Sequence, residues 1–113
     1  MSTDNLSIFD KVPPPIMRQT DPRLVFVNAP FFSLLSQYTH CKDPDIFSEL
    51  DRRIRFVIET QTYKISNLFS TSSDRKPQLA LQLNNINEAL QAYNSVDLDI
   101  NELVHIVAAN VVN

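Results

Sequence analysis

Two histidines, one cysteine and thirteen carboxylates are the groups in this 113-residue chain suited to metal binding, nucleophilic attack or proton transfer. His40 and Cys41 stand side by side. Neighbours on a helix point about 100° apart and rarely share a ligand site. A zinc site would need His105 and carboxylates to complete it, and no ligand spacing brings them together. The plainer expectation is a buried Cys41 thiol and a His40 near the negative end of a helix. Serine chemistry needs a base and an oxyanion hole, and no Ser–His spacing here selects a pair. Asp43/Asp45 and Asp97/Asp99 are carboxylate pairs suited to acid–base work, but both fall at expected helix starts, where capping explains them. No catalytic residue, cofactor or metal is assigned on these grounds, and the expectation is that the chain is not an enzyme.

Glycine is absent, where average usage gives about eight in a chain this long. Its absence excludes Gly-rich phosphate loops and the dinucleotide fingerprint, which need backbone that only glycine supplies. It also disfavours two-residue hairpins and favours helices, closed by Asn or frayed at their ends.

Arg52, Arg53 and Arg55 form the one basic cluster. Glu49→Arg53 and Asp51→Arg55 are i,i+4 pairs in the favourable order, so an exposed salt-laced face is the bland expectation. An acidic protein partner, or nucleic acid with Phe56 and Tyr63 as stacking groups, is the functional one. Net charge argues against nucleic acid. It is −3 overall, and residues 77–113 hold Glu88, Asp97, Asp99 and Glu102 with no Lys or Arg.

These side chains need elements to position them. The length suits one domain and the composition, 43% hydrophobic and 20% charged, is that of a globular chain. Five of seven prolines lie in the first thirty residues, which predicts an extended arm over 1–27 and a helical domain over 28–113. Ile8, Phe9, Val12, Ile16 and Met17 are the arm's candidate anchors, and Leu24–Val27 is a short strand or buried coil. Asn28 is the expected cap of a first helix from Ala29 to His40, whose apolar face is Phe31, Leu34, Leu35 and Tyr38. Asp43-Pro44 opens a second helix to Phe69. Its stripe runs Phe47, Leu50, Ile54, Val57, Ile58, Gln61, Ile65 and Leu68, with Phe56 and Tyr63 on another face. After a polar turn at Ser70–Ser73, Asp74 caps a third helix with a heptad seam of Leu79, Leu83, Ile86, Leu90 and Tyr93 and an amide-rich back. Helices two and three form an antiparallel hairpin. Asp99-Ile100-Asn101-Glu102 resembles a capping box and starts a last helix to about Val112, with a strand as the alternative over its β-branched run.

The fold expected is therefore all-α, three to four helices around a central antiparallel hairpin, with an extended N-terminal arm. The function expected is a non-enzymatic protein–protein interaction module, an adaptor, chaperone, inhibitor or assembly subunit. Its partner would be another protein chain, in a hetero-complex or a homo-oligomer. Arg52, Arg55, Phe56, Tyr63, Phe31, Phe32, Val107 and Val111 are the interface candidates. A nucleic-acid accessory protein is the alternative and a small enzyme the third. One cysteine permits no internal disulfide, and no apolar run follows a basic start in the first twenty residues. A cytoplasmic or other reducing intracellular compartment is expected, with no membrane span.

Overall fold

The computed structural model describes residues 4–72 and 74–112, with side chains from Leu6 onward; Ser73 of the expected turn and the first three residues of the arm lie outside them. The described residues are all-helical, without a strand. Two 3₁₀ helices, Asp4–Lys11 and Pro22–Val25, precede α1 (Phe31–Cys41), α2 (Pro44–Thr71), α3 (Lys76–Asn94) and α4 (Ile100–Ala109). The chain divides into two compact units, Met1–Val57 and Ile58–Asn113, with the boundary inside α2.

In the first unit the arm is not extended at its start. The 3₁₀ turns place Phe9 at 0% exposure, its ring stacked on Phe31 with centroids 4.5 Å apart and planes at 21°. Ile8, Val12 and Met17 are half-buried, whereas Ile16 is fully exposed and anchors nothing. Leu24–Val27 is neither strand nor buried coil. Asp21 caps a 3₁₀ turn there by accepting the Arg23 N–H at 2.9 Å, and Leu24 and Val25 are exposed. That backbone N–H first, and the Arg23 side chain second, hold the Asp21 carboxyl below its ordinary range.

Helix α1 begins two residues later than expected, because a residue before proline avoids helical backbone and Ala29 precedes Pro30. Asn28 is not its cap. The Asp10 carboxylate accepts the Phe31 N–H at 2.7 Å, so the arm caps the helix from 21 positions upstream. Asp43 caps α2 as expected, accepting the Asp45 N–H at 2.8 Å. Ile46, Leu50, Ile54 and Val57 then supply its buried stripe in this unit.

In the second unit, Ile58 and Ile65 of α2, Leu79 and Ile86 of α3, and Leu103, Val104 and Val107 of α4 build the core. Gln61, the polar break in the α2 stripe, is buried and accepts the Val112 N–H at 2.8 Å. Asp74 does not cap α3. Arg75 takes the cap position with no side-chain bond, and Pro77 sits in the first turn. Asp99 caps α4 through the Glu102 N–H at 2.8 Å, so the β-branched run is helix. α4 ends at Ala109, earlier than expected. The Asn110 side-chain amide takes the Ile106 carbonyl at 2.7 Å, and the Asn110 N–H turns to Val107 instead.

Without glycine, two helices close on residues with positive φ, Lys42 (54°) and Val96 (63°), rather than on Asn. Val96 is 90% exposed and β-branched, the side-chain type least suited to left-handed backbone. The Asp97 N–H to Ala92 carbonyl bond at 2.8 Å fixes it there. Val96→Gly therefore raises stability by about 1 kcal/mol, read as a higher urea midpoint at unchanged slope.

Candidate interaction surfaces

The arginine cluster of α2 is an internal clamp. Glu49 is fully buried and Arg53 is 3% exposed, so the bland expectation of an exposed salt-laced face fails for this pair. Glu49 Oε2 accepts from Arg53 Nε at 2.6 Å and from Arg52 Nη2 at 2.7 Å, and Oε1 accepts from Arg52 Nε at 3.0 Å. The remaining donors hold the arm. Arg52 Nη1 reaches the Pro13 carbonyl, and Arg53 Nη2 reaches those of Phe26 and Val27, each at 3.0 Å. Burial pushes the Glu49 carboxyl up. The bonds from Arg52 and Arg53 outweigh that and hold it below its ordinary value. Arg55 alone keeps the expected exposed pairing, with Asp51 at 3.0 Å.

Of the aromatic candidates, Phe31 is core and presents no surface, as its stacking on Phe9 requires. Phe32, the next residue on α1, faces water at 62% exposure. Tyr63 is 71% exposed in the second unit, and Phe56 is 37% exposed in the first. On the last helix, Val107 is fully buried among its own unit's side chains; Val111, beyond the helix end, is half-buried with its carbonyl 3.5 Å from the Gln82 amide. Val107 thus needs no second chain to cover it.

The titratable candidates are dispersed. His40 Nδ1 lies 2.9 Å from the Ser36 carbonyl on an exposed surface. Cys41, expected to be buried, is exposed, because the helix ends there and turns at Lys42. Among the described residues no group of three His, Cys, Asp or Glu side chains is placed to hold a metal ion, and no helix is long and apolar enough to cross a membrane.

Comparison with protein-family models, with curated proteins and with solved structures finds no match. Function must therefore be argued from the surfaces themselves.

Two grooves mark the second unit. One, of about 500 Å³, lies where α2 faces α3, between Ile65 and Phe69 on one side and Ala80 and Leu83 on the other. The other, of about 580 Å³, lies where α3 faces α4, and Ala89, Ala92, Leu98, Ile106 and Ala109 give it apolar walls. Of the expected heptad seam, Leu79 and Ile86 are buried and Leu83, Leu90 and Tyr93 half-buried, and nothing in the spacing announces the second groove. The signal available for it was the run of alanines at 89, 92 and 109 on helices otherwise rich in larger side chains.

Proposed function

We propose that this chain is a non-enzymatic protein–protein interaction module. The observation that carries the reading is a pair of large rings held in water on regular helices, Phe32 at 62% exposure and Tyr63 at 71%, one in each unit. An aromatic ring fixed on a helix loses little freedom when a partner covers it. Covering one is worth about 2–3 kcal/mol at ordinary transfer values. Rings of this kind are the common anchors of protein interfaces. The reading of Arg52, Arg53 and Arg55 as a phosphate-binding set gains no support, since Arg52 and Arg53 are committed to Glu49 and to arm carbonyls.

The test is co-purification with the tagged full chain from its native cell, beside Phe32→Glu and Tyr63→Glu variants that retain the helical circular dichroism. We expect a protein in fixed ratio to the native chain, lost or reduced about tenfold by at least one substitution.

A further inference from the structure

We infer that the groove between α3 and α4 seats a basic amphipathic helix of a partner protein. This rests on the interaction-module reading and names the chemistry of the partner. The groove lining combines small side chains, the buried Ala89, half-buried Ala92 and exposed Ala109, with the larger Leu98 and Ile106. Alanines let another helix backbone come close, and the larger walls define where its apolar side chains go. The Asn85 Nδ2 to Asn110 Oδ1 bond at 3.0 Å closes one end. From there to Ala92 the α3 side runs about two turns, roughly 10 Å, which fits two or three anchors at helical spacing.

The charge around the groove selects the occupant. Glu88 lines it, and its described bond is to a neutral donor, the Asn84 amide at 3.3 Å. Glu102 lies three and four residues before His105 and Ile106, on the same face of α4. Asp97 and Asp99 flank Leu98. No Lys or Arg occurs from residue 77 to the last residue, so Glu88 in the lining, and Asp97, Asp99 and Glu102 next to lining residues in sequence, meet no Lys or Arg of their own stretch, and His105 is the one basic side chain in the lining. These carboxylates repel nucleic-acid phosphates and anionic lipid headgroups. They also repel the same face of a second copy. A helix with an apolar stripe flanked by Lys or Arg suits both the apolar lining and the carboxylates in and beside it.

The test uses the full chain and two synthetic helical peptides of roughly four turns, with the same leucine stripe and with either lysine or glutamate flanks. Binding is read by fluorescence anisotropy. The lysine peptide is expected to bind at least about tenfold tighter than the glutamate peptide. Glu88→Lys/Asp97→Lys and the neutral, bulkier Ala109→Gln should each weaken it by about tenfold, with helical content retained. Equal binding of the two peptides overturns the assignment. So does an Ala109→Gln chain that binds as the native one does, because binding is then diffuse charge attraction. If Ala109→Gln instead dissolves a homodimer of the peptide-free chain, the occupant is a second copy and the inference is wrong. Failure of the peptides with Phe32- or Tyr63-dependent co-purification intact removes the groove alone. Loss of both removes the module reading beneath it.

Discussion

Replacing Glu49 by Gln lowers the stability of the chain by about 3–5 kcal/mol, as breaking a buried ion pair does. The carboxylate is fully buried, and its removal leaves the Arg53 guanidinium, 3% exposed, with only the half-exposed Asp10 carboxylate, 3.9 Å from Nη1, to balance its charge. The loss is a large part of a typical domain stability of about 5–15 kcal/mol. Three charge-assisted bonds converge on this one side chain, and the same two arginines hold Pro13, Phe26 and Val27 of the arm. Urea unfolding checks it. The double variant Glu49→Leu/Arg53→Met, which removes both charges together, should recover much of the loss, since desolvation costs leave with them. A single variant within about 0.5 kcal/mol of the native chain would mean that the pair is not closed as described.

The same carboxyl sets part of the acid response. Its folded pKa lies below the ordinary value of 4.5, so the unfolded chain binds its proton first as pH falls. The stabilisation it gives is complete above pH 4.5 and fades as pH drops through the lowered folded value. Glu49→Gln should therefore lose less stability than the native chain between neutral pH and that acid range.

Phe9→Ala costs about 3–5 kcal/mol, the range for emptying a large buried aromatic site. Phe9 is the arm's one fully buried side chain among those described, stacked at 4.5 Å on Phe31, the first residue of α1. Beside that stack the Asp10 carboxylate caps the same helix. Removing the ring withdraws packing from α1 and loosens the cap next to it. An arm that merely frays would show almost no change in urea midpoint, and that result would reject the packed arm.

The helices were legible because periodicity and caps act locally. The α2 stripe, the Asp43 and Asp99 caps and the α3 seam each depend on residues within a turn or two of one another. Several of the differences are long-range. Asp10 replaces Asn28 as a cap across 21 positions, and Gln61 is burdened in a stripe until the Val112 N–H arrives from 51 positions away. The Glu49–Arg53 pairing was visible as i,i+4 spacing, but its burial was not. Burial came from arm carbonyls at 26 and 27 positions' distance, which no local pattern records. Positive φ at Val96 was hidden for another reason, since a chain without glycine must close its turns with residues that do not announce them.

The candidate surfaces divide the same way. Phe32 and Tyr63 stood out as aromatics off the main apolar faces and are exposed, whereas Phe31 and Val107 were drawn into cores by partners elsewhere in their own units. Phe31 differs from Phe32 only by the 100° that turns it toward Phe9.

The measurement that reaches the central claim most directly is purification of the tagged chain from its native cell, beside Phe32→Glu and Tyr63→Glu. A protein recovered in fixed ratio to the native chain, and lost with an exposed ring while the variant stays folded, is the result an interaction module predicts. A chain recovered alone, or with the same companions whichever ring is replaced, would contradict it.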